Sequence, residues 1–284
     1  MTEFLDVPGG RIAYDVTGDG PLVVCLPGMG DVRGAYRFLA PRLVAAGYRV
    51  ATADLRGHGE SSAHWDSYGH SDLGADLLAL IRHLGGPAVV VAHSFSPGAA
   101  VFAAAEAPEE VLSTVLIGPF ATQPELNPLL ELAVRLVVRS ATLWGAFYTS
   151  LYPGTRPDDF AAYRAALKAT LRESGRMAAV AAMSQPAARD ADGHRARATQ
   201  PSLIVMGTRD GDFPDPRAAA DAMAAALAGP AEVAMIEGAG HYPHAQFPAE
   251  TAAVVLPFLR ATHAPAGRPA DAPAPSQAPA TVTA

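Results

Sequence analysis

The chain is short of cysteine, of lysine and of charge. Cys25 is the only cysteine among 284 residues, which excludes an internal disulfide and leaves no thiol cluster for structural zinc. Lys168 is the only lysine, every other basic residue being arginine, and the formal net charge is −7. Phosphate neutralisation needs clustered positive charge, and no Lys/Arg stripe is present, so nucleic acid is not an expected partner. Only 17% of residues are charged and 7% aromatic, while 50% are hydrophobic. That apolar share excludes wholesale disorder and supplies a sizeable core. The N-terminus has neither a basic n-region nor an apolar h-region, so no signal peptide is read and a cytoplasmic location is expected. The stretch Leu84–Ala105 lacks Asp, Glu, Lys and Arg and, at about 22 residues, is long enough to span a bilayer. It contains Gly85-Gly86-Pro87 and Ser94-Phe95-Ser96-Pro97-Gly98, however, and reads as strand, sharp turn and helix.

What the chain does have is short apolar runs alternating with helical patterns. Strands are expected at Arg11–Asp15, Pro21–Leu26, Arg49–Ala53, Ala88–Ala92, Thr114–Ile117, Ser202–Met206 and Glu232–Ile236. Helices are expected at Gly34–Ala46, Ser71–Leu84, Pro97–Ala107, Asp215–Leu227 and Ala249–Ala261. Nearly continuous Val/Ile runs suit strands buried on both faces, and the alternation argues for a mostly parallel sheet with helices on both sides. The first two of these strands, set off by Pro8-Gly9-Gly10 and Gly18-Asp19-Gly20, are expected to form an antiparallel edge. Between about Phe120 and Gln200 the strands stop, and helical patterns at Leu126–Ser140, Asp158–Glu173 and Met177–Ala187 predict an insertion over the sheet. The expected organisation is a core from 1–119 and 201–262, a helical lid over 120–200, and a disordered Ala/Pro-rich tail over 263–284.

One segment carries chemistry in its pattern. The apolar strand Ala88–Ala92 runs through His93 into Ser94, with small residues, Ala92 and Ser96, at both second neighbours. Pro97 can open a helix directly afterwards, because first-turn amides lack intrahelical partners. Such a turn holds the Ser94 hydroxyl above the sheet edge at the positive end of a helix.

From about Phe4 to Ala261 the sequence resembles the α/β-hydrolase family, whose elbow G-x-S-x-G stands here as A-x-S-x-S. The resemblance implies a mostly parallel eight-stranded sheet, with Ser94 as nucleophile. A weak alcohol needs a base and the base an orienting acid, and the family supplies them after the last two strands. G-x-x-D ends at Asp210 and the glycine-flanked histidine is His241, so Asp210 is the implied acid and His241 the implied base. Asp212 and Asp215 are nearby alternatives to Asp210, and His244 is assigned to the surface or pocket rim. The oxyanion donors implied are the amides of Phe95 and of Met29, in Leu26-Pro27-Gly28-Met29-Gly30-Asp31, where proline replaces the usual histidine. The loop Asp54-Leu55-Arg56-Gly57-His58-Gly59-Glu60-Ser61 resembles a family loop of structural role. His93 should point away from Ser94.

These readings predict a serine hydrolase that needs no cofactor and no metal and acts on a small to medium-sized, largely apolar ester or lactone. Met29, Phe95, Trp144, Phe147, Tyr148 and Tyr152 are the expected pocket residues. The same machinery also serves C–C bond hydrolysis, perhydrolysis of the non-haem haloperoxidase kind, amide hydrolysis and acyl transfer, and a ligand-binding sensor with little turnover is the alternative from another class. The haloalkane dehalogenase and epoxide hydrolase branches use an elbow aspartate, so serine at 94 speaks against both. The expected partner is a small-molecule substrate; Cys25, in an apolar strand, is expected to be core filling. The sequence does not specify an oligomeric state.

Overall fold

The computed structural model describes residues 1–121, 127–190 and 192–263; the expected tail therefore lies, from residue 264 on, outside the described residues. Eight strands form one sheet: β1 (Glu3–Val7), β2 (Gly10–Thr17), β3 (Leu22–Leu26), β4 (Arg49–Ala53), β5 (Ala88–His93), β6 (Val111–Ile117), β7 (Ser202–Gly207) and β8 (Ala231–Ile236). Their spatial order is β1-β2-β4-β3-β5-β6-β7-β8. The β1–β2 and β2–β4 pairings are antiparallel and all the others parallel; the antiparallel edge is therefore made by β1 and β2, not by the first two expected strands, β2 and β3, which β4 separates. This is the mostly parallel eight-stranded sheet that the resemblance implies.

The core helices are α1 (Ala40–Ala45), α2 (His70–His83), α3 (Pro97–Glu106), α8 (Pro216–Ala226), α9 (Pro243–Gln246) and α10 (Pro248–Thr262). Strands β3, β5 and β7 are buried at every residue, as strands covered on both faces must be. Side chains alternate across a strand, so each strand feeds two cores. Leu22, Val24 and Val90 join Leu77 of α2 and Ala99 of α3 on one face. Val23, Cys25, Val89 and Val91 join Leu43 of α1 and Val255 of α10 on the other. Cys25 is fully buried, and burial pushes its thiol pKa far up. The uncharged run Leu84–Ala105 is spent on β5, the turn at Ser94 and most of α3, and no helix among the described residues is long and apolar enough to cross a membrane.

A helical insertion stands between β6 and β7: α4 (Pro128–Val137), α5 (Ala141–Ser150), α6 (Phe160–Leu171) and α7 (Arg176–Met183). It has its own apolar cluster, including Trp144, Tyr148, Leu151, Tyr152, Phe160 and Leu167. Besides the single-turn α9 and short 3₁₀ segments, two elements escape the sequence reading. Strand β1 lies at the sheet edge and is largely exposed, so it has no apolar run to announce it. Helix α5 is rich in aromatic and β-branched residues and contains Gly145, all modest helix formers; packing of Trp144 and Tyr148 holds it in place. The single helix expected over Gly34–Ala46 is instead a 3₁₀ turn, Arg33–Tyr36, followed by α1. Pro41 sits in the first turn of α1, where its missing amide costs nothing.

Candidate active site

The site lies at the carboxyl ends of β3, β5, β7 and β8. Ser94, directly after β5, has φ +59°, a left-handed conformation that costs a non-glycine residue on the order of 1–3 kcal/mol. The Ser94 amide donates to the Ile117 carbonyl at 2.8 Å and the Ser96 amide to the His93 carbonyl at 3.0 Å, which pin the turn. The hydroxyl is thereby aimed away from the sheet at the start of α3. Its oxygen lies 2.8 Å from His241 Nε2, and His241 Nδ1 lies 2.7 Å from Asp210 Oδ2. Three residues separated by up to 147 positions thus form one chain of contacts.

His241 and Asp210 are almost fully buried. Burial alone would lower the imidazole pKa, but the Asp210 and Asp212 carboxylates, with the hydrogen bond to Asp210, outweigh it and push His241 up to about 9. Asp212 occupies the other side of the ring, its Oδ2 3.7 Å from Nε2, while its own amide donates to Asp210 Oδ1 at 3.1 Å. Asp210 is therefore the carboxylate on Nδ1, and Asp212 a second negative charge beside Nε2. Burial lifts the Asp212 pKa.

The loop after β3 passes against the elbow. A Cβ on Gly28 would come within 2.9 Å of Ser94 Cβ, so only glycine fits. Among the described residues, neither the Met29 nor the Phe95 amide donates to a backbone carbonyl. Three side chains brace this loop. Ser96, fully buried, donates its hydroxyl to the Pro27 carbonyl. His58 Nε2 accepts from the Gly30 amide at 2.9 Å, while its Nδ1 bonds the Arg56 carbonyl at 3.0 Å. Burial holds His58 down to about 4 and hence neutral, as an acceptor must be. Trp144 of α5 donates its indole N–H to the Gly30 carbonyl at 3.0 Å, and Gly30, at φ +71°, leaves no room for a Cβ against that ring. The sequence reading left His58 in a structural loop; its place in Gly57-His58-Gly59 was the available signal.

Asp31, next in the loop, is a buried carboxylate among tyrosines. It accepts from Tyr163 at 2.6 Å, from Tyr148 at 3.1 Å and from the Val32 amide at 2.8 Å. Burial pushes its pKa up to about 6 against the pull of these bonds and of Tyr242. The lid and the loop beside Ser94 are joined at this carboxylate. His93 points away from Ser94 as expected: its Nε2 bonds the His241 carbonyl at 2.9 Å, and burial keeps it neutral.

A narrow cavity beside Ser94 is lined by Phe95, Phe120, His70 and Met223, with Arg189 and Arg195, and leaves about 10 Å³ of free space, room for roughly one water molecule. Of the six expected pocket residues, Phe95 lines it. Met29 lies in the neighbouring loop, packed against both the sheet core and the lid. Trp144, Phe147, Tyr148 and Tyr152 belong instead to the lid's own apolar cluster, because their rings pack on one another and on Tyr242. His244 is a correction: it is fully buried, stacked on Tyr36 at 4.9 Å, and burial takes its pKa down to about 3. A larger cavity of about 780 Å³ lies elsewhere, walled by Asp15, Arg33, Arg37 and Thr52, and none of Ser94, Asp210 and His241 lines it. Among the described residues, the grouping of His, Asp and Glu close enough to hold a metal is Asp210, Asp212 and His241, whose imidazole nitrogens already face Asp210 and Ser94.

Comparison with known proteins agrees with this architecture. The alpha/beta hydrolase family profile matches residues 23–254, and the chain belongs to that family. It is 30% identical over 272 residues to 2-(acetamidomethylene)succinate hydrolase of Mesorhizobium japonicum, covering 89% of this chain and 93% of the relative. A match to bifunctional epoxide hydrolase 2 of Sus scrofa, 33% identical over 91 residues, covers 31% of this chain; the chain spans only 16% of that relative and 23% of its Rattus norvegicus counterpart. Among solved structures, bromoperoxidase from Bacillus anthracis superposes with a TM-score of 0.78 at 22% identity, over 92% of this chain and 100% of that one, a likeness of fold.

Proposed function

We propose that the protein is a serine hydrolase cleaving a small to medium-sized, largely apolar ester or lactone through an acyl-enzyme on Ser94. The observation that carries this reading is the continuous Ser94–His241–Asp210 contact chain at a left-handed elbow. With His241 neutral, Nε2 takes the Ser94 proton as Oγ bonds the acyl carbon, and Asp210 holds Nδ1–H so that Nε2 is the free base. The tetrahedral oxyanion is met by the Met29 and Phe95 amides, donors whose individual loss costs on the order of 3–4 kcal/mol. Collapse breaks the acyl carbon–alcohol oxygen bond, and His241 gives its proton to the departing alkoxide. Water then attacks the acyl-enzyme, its proton passing to His241 and on to Ser94, which leaves as the free acid is formed. The name of the M. japonicum relative supports hydrolysis of a small organic molecule as the class of reaction. A fluorophosphonate probe followed by peptide mass mapping is the test. One adduct, on Ser94, and none in Ser94→Ala is expected; labelling that survives Ser94→Ala overturns the assignment.

A further inference from the structure

Helix α5 meets both catalytic loops with one face. Trp144, Tyr148 and Leu151 recur at helical spacing along α5 and its C-cap, so they share a side of the helix. Trp144 donates to the Gly30 carbonyl, Tyr148 donates to Asp31 Oδ2, and the Leu151 carbonyl accepts from the His241 amide at 3.0 Å. Glycines make room for two of these approaches. A Cβ on Gly30 would overlap the Trp144 ring, and one on Gly240 would overlap Pro153 and the Leu151 carbonyl. Gly30 follows Met29 and Gly240 precedes His241, so the insertion rests on backbone directly beside the oxyanion amide and the base. Gln246 ties the second contact down: it accepts from the Gly240 amide at 2.8 Å and donates to the Pro153 and Thr155 carbonyls at 3.1 and 2.8 Å. Asp31 gathers the rest. Its Oδ1 accepts from Tyr163 of α6 and its Oδ2 from Tyr148, and the Tyr242 hydroxyl, one residue past His241, also stabilises the carboxylate. Tyr148 spends its one proton on Asp31, so Tyr152 is the donor in the 2.9 Å contact between the two phenols. Burial, then the Asp31 charge, holds Tyr148, Tyr163 and Tyr242 well above their ordinary pKa, which keeps all three as donors.

Resting on the ester-hydrolase reading, we propose that Asp31 and Tyr148 are positioning residues, and that the inner face of α5 is a splint fixing the Met29 amide relative to His241. The sheet alone does not fix that relationship. Strands β3 and β8, which lead into the two loops, are separated by β5, β6 and β7, so no strand pairing links them directly. Helix α5 bridges them in one step. An oxyanion donor works only at the place where negative charge develops, and a misplacement of about 1 Å costs on the order of 10²-fold in rate. The same contacts make α5 a fixed wall of the site. Lifting it would strand the Gly30 carbonyl, the His241 amide and the Asp31 carboxylate together, each a polar group that is costly to leave unpaired.

Two measurements test this, one without turnover. In hydrolysis of 4-nitrophenyl acetate, Asp31→Leu should lower kcat on the order of 10²-fold while KM moves less than about threefold. Asp31→Asn should recover most of that loss, because its oxygen still accepts from Tyr163 and its amide can donate to the Tyr148 hydroxyl. Tyr148→Phe removes a single hydroxyl and should lower kcat by about three- to tenfold; it carries the test if Asp31→Leu fails to fold. Leu143→Ala, on the exposed side of α5, is the control and should stay within about twofold of wild type. Melting curves give the folded fraction to which each kcat is referred. Hydrogen exchange reads the splint without turnover. In Tyr148→Phe, amides of residues 26–32 and of 238–242 should both exchange about fivefold faster or more, while those of β7 keep the wild-type rate. Faster exchange confined to the insertion overturns the proposal, as does a kcat in Tyr148→Phe no lower than in Leu143→Ala. Loosening of both loops without esterase turnover by the wild type leaves the splint standing and removes the ester reading.

Discussion

The Ser96 hydroxyl donates to the carbonyl of Pro27, and these are two of the three positions, with Ala92, where the chain departs from the family's elbow and oxyanion-loop patterns. The small residue that replaces the second elbow glycine ties the elbow to the loop that has lost its histidine. Ser96→Gly, which restores the family residue, and Ser96→Ala should each strand a buried carbonyl and cost about 1–3 kcal/mol of stability. The loop carrying the Met29 amide loosens with it, so kcat should fall by roughly five- to thirtyfold, the kinetic equivalent of about 1–2 kcal/mol, with little change in KM. Denaturant melts and steady-state kinetics on an activated ester provide both readings. An unchanged kcat would separate this bond from the chemistry.

The pH dependence follows from the charges around His241. Two carboxylates hold its pKa up to about 9, and only the neutral ring can take the Ser94 proton. Activity should therefore rise with pH as the imidazolium loses its proton, with kcat/KM levelling off above about pH 9. Asp212→Asn removes one of the raising charges without touching Nδ1, so the midpoint should move down while the plateau stays within about tenfold. Asp210→Asn disturbs the tautomer and should lower kcat on the order of 10³- to 10⁴-fold. Rate profiles from pH 5 to 10 for the three proteins make the comparison.

His58 acts through the backbone of Gly30. Its neutral Nε2 is the acceptor for that amide, so His58→Leu leaves a buried N–H without a partner, at about 1–3 kcal/mol. His58→Gln can offer a carbonyl oxygen in the same region and should recover part of the lost kcat. Rescue by glutamine, with KM nearly constant throughout, identifies a positioning role; equal damage from both substitutions points to packing alone.

Asp31 should leave a signature in stability. Its folded pKa, about 6, lies above the ordinary carboxylate value, so the folded protein holds that proton more tightly than the unfolded chain. The resulting stabilisation is full below about pH 4 and is lost as pH rises through about 6, a swing on the order of 3 kcal/mol. Asparagine does not titrate. The Tm of Asp31→Asn minus that of the wild type should therefore grow more positive between about pH 4.5 and pH 7.5.

The sheet was legible because its central strands are apolar without interruption: β3, β5 and β7 announce burial on both faces. Strand β1 was not, because Glu3–Val7 is an exposed edge with no burial to encode. Ser94, Asp210 and His241 could be located because each follows a recognisable strand and a short motif. The braces were hidden for a different reason. Ser96, His58 and Asp31 act through contacts 69, 28 and 117 residues away, with Pro27, Gly30 and Tyr148, and local pattern has no access to such pairings. The lid aromatics illustrate the limit from the other side. A cluster of Trp144, Phe147, Tyr148 and Tyr152 reads equally well as pocket or as core, and only the packing of α5 against α6 and Tyr242 assigns these rings to the lid cluster.

The buried thiol of Cys25 gives the molecule a built-in gauge. It sits in β3 between two flanking strands, on the strand that leads into the loop beside Ser94, and burial keeps it protonated. A thiol reagent can reach it only when the central sheet opens, so the alkylation rate of the native protein counts those openings directly. With no second cysteine to confuse the signal, the cost of each brace substitution can be read at this one sulfur, independently of any assay for turnover.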